Sequence, residues 1–129
     1  MITIGKTASV KTTVNESNTA RVVGSGSLCV FATPMMIALM EKAACEALSD
    51  ALEAGQTSVG TQINVSHNAA TPLGSVVTAV ATITGAGGRK VEFEVTARDD
   101  AGEIGNGTHV RFIVDEAKFM TKINERQLR

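Results

Sequence analysis

The chain has no tryptophan and no tyrosine, and only four phenylalanines in 129 residues. It therefore offers few aromatic faces for stacking bases. Acidic and basic residues almost cancel, at a net charge of −1, and the basic ones are scattered. Together these features argue against a nucleic-acid partner. Proline is also scarce, and no run approaches the ~18 apolar residues of a membrane span. The amino terminus lacks the basic stretch and apolar segment of a secretory signal. The expectation is a cytoplasmic protein with no nucleic-acid and no membrane partner.

Cys29 and Cys45 do not have metal-type spacing, and in a cytosolic setting they read as small packing residues. Two histidines with no carboxylate–histidine cluster at ligand spacing leave no zinc-type site. Neither a Gly-x-Ser-x-Gly elbow nor a dinucleotide fingerprint is present. No metal and no resident cofactor are expected.

What remains is an ordinary globular composition, 43% apolar and 19% charged, in a length that suits one domain over residues 1–129. Ile2–Val14 alternates loosely and reads as a strand, and Asn15–Ala20 as a loop. Arg21–Ala32 contains Gly24-Ser25-Gly26-Ser27 and reads as flexible. Thr33-Pro34 then forms a helix start, with Thr33 as the capping residue. The amphipathic pattern runs to Ala54, where Gly55 is placed to end it. Four strand-like segments follow: Thr57–His67, Ser75–Thr84, Lys90–Arg98 and Glu103–Val114. Gly85–Gly88 and Asp99–Gly102 read as hairpin turns. Glu116–Arg129 is charged and weakly helical, a surface tail. Short turns favour antiparallel pairing, so the order predicts an α+β fold with one dominant helix against an antiparallel sheet.

Several residues sit oddly in this scheme. On the helix, Met36, Ile37, Met40, Ala44, Ala47, Leu48 and Ala51 share one arc, and Glu41 falls at its margin. A carboxylate there must find a partner or accept a raised pKa, since desolvating it costs several kcal/mol, and is then a candidate for chemistry; the alternative is a boundary glutamate that reaches solvent. His67 continues the inward face of Ile63 and Val65, either as an inert core histidine or as a group for proton transfer. Thr33, besides capping, lies where helix N–H groups can stabilise an anionic oxygen. Gly60 interrupts a strand, as a bulge or as a place where a ligand approaches bare backbone. Arg111 shares a strand face with His109 and Ile113, as a solvated charge or as a contact to a carboxylate or phosphate. Gly105-Asn106-Gly107-Thr108 reads as a bulge rather than a phosphate loop.

Taken together, Val30-Phe31-Ala32-Thr33-Pro34, Leu39-Met40-Glu41, Val59-Gly60-Thr61, the stretch from Val65 to Pro72 and Gly105–Arg111 form a recognisable series. They resemble the fluoroacetyl-CoA thioesterase group of hotdog-fold thioesterases, over about Val22 to Phe119. The resemblance implies a hotdog fold, a long helix wrapped by an antiparallel sheet, paired as a homodimer with sites at its interface. It implies Thr33, Glu41 and His67 as catalytic residues, and Gly60 and Arg111 as substrate-site residues. It also implies metal-free hydrolysis of an acyl-CoA substrate, with CoA present only as part of that substrate. One stretch departs: where members of that group carry an aromatic-bearing lid before the threonine, this chain has Gly24–Ser27. The expected activity is hydrolysis of a small acyl-CoA to the free acid and CoA. The rival readings are a hotdog hydratase of enoyl or hydroxyacyl thioesters and a non-catalytic acyl-CoA-binding dimer.

Overall fold

The structure, a computed structural model, describes residues 1–128. In chain order the elements are β1 (Thr7–Thr13), α1 (Ala20–Val23), α2 (Thr33–Leu48), β2 (Gln56–His67), β3 (Val76–Gly87), β4 (Lys90–Asp99), β5 (Gly102–Asp115) and α3 (Glu116–Gln127). The strands form one antiparallel sheet in the order β1-β3-β4-β5-β2. Its concave face holds α2. The arrangement is the expected α+β one.

Alternation explains the inner strands. On β4, Val91, Phe93, Val95 and Ala97 are buried, whereas Glu92, Glu94 and Arg98 are exposed. Val77, Ala79, Ala81 and Ile83 line the same core from β3. From α2 come Met36, Leu39, Met40, Ala43, Ala44, Ala47 and Leu48. Alanines on both sides let the helix lie close to the sheet.

Some boundaries differ from the sequence reading. The first strand begins only at Thr7, because Gly5, at φ +91°, turns the chain and donates its N–H to the Ile83 carbonyl at 2.8 Å. The segment read as loop and flexible stretch carries the short helix α1, closed by Gly24 in the left-handed conformation. Helix α2 ends at Leu48 and tightens into a 3-10 turn over Ser49–Ala51, so Gly55 serves the turn into β2 rather than the helix end. Both cysteines are exposed, not packed: Cys29 lies in the open stretch before α2 and Cys45 on the helix's outer face. The last residue of the expected tail, Arg129, lies outside the described residues. No helix among the described residues is long and apolar enough to cross a membrane.

The glycines near Gly105 have a steric rather than a bulge role. Register against β2 is unbroken from Gly105 to Val110. The irregularity falls just before, where Ala97 pairs with Gly105 and Arg98 with Glu103. A Cβ on Gly105 would meet the Ser66 carbonyl at 2.6 Å and Met36 Sδ at 2.7 Å, and one on Gly107 would overlap the Asn64 carbonyl. We therefore expect Gly107→Ala to lose about 1–3 kcal/mol of stability through overpacking against backbone that cannot yield. A urea melt unchanged from wild type would contradict this.

Candidate functional site

The site residues fall into two groups, at opposite ends of β2. The first lies where α2 begins. Backbone bonds fix the entry to the helix: Phe31 N–H donates to the Thr71 carbonyl at 2.9 Å, and Ala32 N–H to the Asn18 carbonyl at 3.0 Å. Thr71 is itself buried and donates its hydroxyl to Asp99 Oδ2 at 2.7 Å. Across the gap, Asn68 N–H donates to the Ile104 carbonyl at 2.7 Å and holds the end of β2.

These anchors set Thr33 Oγ1 at 2.7 Å from His67 Nδ1. Thr33 is thus not the helix cap expected from local sequence. Ala32 occupies the cap position, with no side-chain hydrogen bond, and Thr33 is the first helical residue. Its hydroxyl is committed to the imidazole instead. Pro34 has no N–H, and Met35 N–H turns back to the Ala32 carbonyl at 3.0 Å. Thr33 N–H is left as the first-turn donor at the positive end of the helix dipole. The pair opens into a cleft of about 240 Å³ that also borders Ser25, Phe31, Asn68 and Ala69. On the inner side, His67 Nε2 is buried and has no hydrogen-bond partner among the described residues. Burial lowers the His67 pKa below the ordinary histidine value, only partly opposed by the backbone at Ala69.

The second group surrounds Arg111, whose side chain is only 8% exposed. Nε donates to Ser58 Oγ at 2.8 Å and Nη2 to the Ser58 carbonyl at 3.0 Å. Nη1 faces both Glu41 Oε2 at 3.4 Å and His109 Nε2 at 3.2 Å. Arg111 is therefore a contact to a carboxylate, and that carboxylate is the chain's own Glu41. His109 is buried, lies against Phe93 with ring centroids 5.9 Å apart, and donates from Nδ1 to the Gln62 carbonyl at 2.8 Å. Its Nε2 lone pair is then turned to Arg111, so the ring is neutral. Burial lowers its pKa, and the neighbouring guanidinium adds to this; the Gln62 carbonyl and Glu41 act in the opposite sense.

Gly60 makes room for this group. The register of β2 slips between Gly60 and Gln62. The slip removes Thr61 from the inward face and puts Gly60 there. A Cβ at Gly60 would lie 2.8 Å from Glu41 Oε2, 3.2 Å from His109 Cε1 and 3.3 Å from Arg111 Nη1. The bulge reading of Gly60 holds, and the group that approaches its bare backbone here is the chain's own Glu41 carboxylate.

Within one copy the structure joins Thr33 with His67 and Glu41 with Gly60 and Arg111, but it does not bring Glu41 to His67. Glu41 lies eight positions along the helix from Thr33, a rise of about 12 Å. Glu41 is 41% exposed, and among the described residues its one side-chain partner is Arg111. Ser58 and His109 were not singled out by sequence reasoning. His109 carried the available signal, since it alternates with Arg111 and Ile113 on the face of β5 that turns inward.

Both histidines have folded-state pKa values below that of the unfolded chain, about 6.5. Below that pH the unfolded chain binds more protons, so their contribution is full above about 6.5 and is lost on acidification. We expect proton NMR to show both rings titrating below 6.5. Urea melts should show stability falling from pH 7 to pH 5, less steeply in His109→Gln. A ring titrating above 6.5 would contradict the assignment for that residue.

The sequence profile described as fluoroacetyl-CoA-specific thioesterase matches residues 14–117. The fluoroacetyl-CoA thioesterase of Streptantibioticus cattleyicolor is 43% identical over 97 residues, covering 75% of this chain and 70% of that protein. A crystal structure of a point variant of a fluoroacetyl-CoA-specific thioesterase superposes with a TM-score of 0.91 at 35% identity, over 98% of each chain. A thioesterase-superfamily member from Thermus thermophilus superposes at 0.92 and 28% identity, over all of this chain and 96% of the other. With the profile spanning most of its length and its helix wrapped by the sheet, the chain belongs to the fluoroacetyl-CoA-specific thioesterase family of hotdog-fold thioester hydrolases.

Proposed function

We propose that this protein hydrolyses small acyl-CoA thioesters to the free acid and CoA, at a site completed by a second copy of the chain. The observation that carries the reading is the 2.7 Å contact between Thr33 Oγ1 and His67 Nδ1 at the start of α2. A thioester carbonyl placed there has the Thr33 N–H and the helix dipole at its oxygen, where negative charge develops. Thr33 and His67 orient the acyl group and move the proton. Glu41, held by Arg111, supplies the attack, either directly on the carbonyl carbon or by taking a proton from water. Gly60 leaves room for the reacting group beside Glu41. No metal or resident cofactor enters this scheme, and a cytoplasmic location suits it.

Two features support the second copy. Glu41 lies about two helical turns from Thr33, too far to act on a carbonyl held there. Strand β2 is a 12-residue edge with no lysine and no proline along its length. Such an edge is a ready template for pairing. Two β2 edges paired antiparallel about a two-fold axis lay the Gly60 half of one strand beside the His67 half of the other. Glu41 of one copy then faces Thr33 and His67 of the other.

The segment before α2 bears on the acyl group. Val22 and Leu28 are 62% and 66% exposed and do not border the cleft, which this segment lines with Ala20, Ser25, Val30 and Phe31. With Gly24-Ser25-Gly26-Ser27 in that segment, closure over a short acyl chain is loose and favours no single halogenated group.

Thiol release from a panel of short, branched and aromatic acyl-CoAs, fluoroacetyl-CoA included, tests the activity. We expect turnover on small acyl groups, with no preference for fluoroacetyl-CoA among them, and a drop of about 10²-fold or more in Glu41→Gln. An unaffected variant would remove Glu41 from the chemistry, and a panel with no release would remove the hydrolase reading. Light scattering at micromolar concentration should give the mass of two copies. A monomer that remains active would overturn the shared site.

A further inference from the structure

A second cleft, of about 310 Å³, lies between the end of β5 and α3 and plays no part in the chemistry above. Arg89, Ile113, Asp115, Lys118, Phe119 and Lys122 border it. Lys118 and Lys122 stand one turn apart on α3 and share a face. Arg89 reaches in from the β3–β4 turn. Its Nη1 donates to the Ile113 carbonyl at 3.1 Å, and Ile113 N–H donates to the Arg89 carbonyl at 2.8 Å, which fixes the guanidinium at the cleft.

Three cations share this one cleft, and among the described residues none has a carboxylate partner. Among the described residues the ion pairs are Lys6–Asp50, Lys90–Glu92 and Arg111–Glu41, and none involves Arg89, Lys118 or Lys122. The one acid at the cleft, Asp115, accepts the Lys118 backbone N–H at 3.1 Å and so caps its own helix. In a chain of net charge −1, three unpaired cations around one cleft repel each other, and a bound anion relieves that repulsion. Phe119, half-buried at the cleft beside the lysines, offers a flat apolar face of the kind on which a base stacks. The cleft also lies beside the proposed site. Ile113 is two residues from Arg111 on the same face of β5, about 7 Å along the strand.

We propose that this cleft binds the phosphorylated adenosine end of the CoA substrate, with Arg89, Lys118 and Lys122 on the phosphates and Phe119 against the adenine. The assignment rests on the acyl-CoA reading above, in which the flexible pantetheine arm links this nucleotide to the reacting thioester. A pinned guanidinium gives directional hydrogen bonds to phosphate oxygens, and the two lysines act as point charges.

The test compares an acyl-CoA that wild type turns over with the same acyl group on pantetheine, which lacks the nucleotide. Wild type, the double variant Lys118→Ala/Lys122→Ala, and Lys11→Ala on the far edge strand are measured together. Helix α3 buries none of its residues, so the double variant retains the fold, and a thermal melt checks this. We expect wild type and Lys11→Ala to show a KM for the CoA thioester about tenfold or more below that for the pantetheine thioester. In the double variant this preference should largely disappear. A preference absent in wild type, or retained in the double variant, overturns the proposal. If wild type hydrolyses neither thioester, the hydrolase reading has failed instead, and calorimetry with adenosine 3′,5′-bisphosphate decides the cleft alone. Binding to wild type that is lost in the double variant supports it, and no binding or equal binding overturns it.

Discussion

A guanidinium buried against a β-sheet must find a partner for nearly every N–H, because an unpaired buried charge costs several kcal/mol. Arg111 meets this demand with Ser58, His109 and Glu41. Much of one end of the molecule follows from it. Ser58 must be on the neighbouring strand with both its hydroxyl and its carbonyl in reach. His109 must stay neutral, because a proton on Nε2 would set donor against donor. The residue opposite on β2 must be glycine, because any side chain there would displace the carboxylate. Glu41, a half-exposed side chain on a helix, is thereby directed to one place without being buried.

The other end is built from backbone rather than charge. Thr33 and His67 come from segments far apart in sequence, and each is held by main-chain hydrogen bonds to loops on either side. The Ile104 carbonyl accepts from Asn68, and Thr71 ties the following loop to Asp99 at the next hairpin. Such a site is preorganised: its hydroxyl and imidazole are already in contact, so less ordering remains when a substrate arrives.

Much of the fold was legible because its signals are local. Alternation on β4, the Gly-rich hairpin before Arg89 and the apolar arc of α2 each state their own structure. The less legible parts depend on partners distant in sequence. Thr33 looks like a cap to any local rule, and only the fold reveals that His67 takes its hydroxyl. Arg111 read equally well as a solvated charge, since the slip at Gly60 that admits Glu41 is invisible from β5. Glu41 and His67 were singled out separately by their positions on apolar faces. That they stay apart within one copy follows from the length of α2 between them, which spacing within motifs does not express. The cysteines misled for the opposite reason: their usual burial is a statistical tendency, and nothing at Cys29 or Cys45 enforces it.

Strand β2 carries Gly60 in one half and His67 in the other, so under the two-copy reading each active site draws its two halves from different chains. Defects then segregate in an unusual way. A dimer mixing one chain damaged at Glu41 with one damaged at His67 contains one site with both lesions and one site with neither. Two inactive proteins could thus restore activity to each other simply by exchanging partners, a form of complementation that follows from the geometry of a single edge strand.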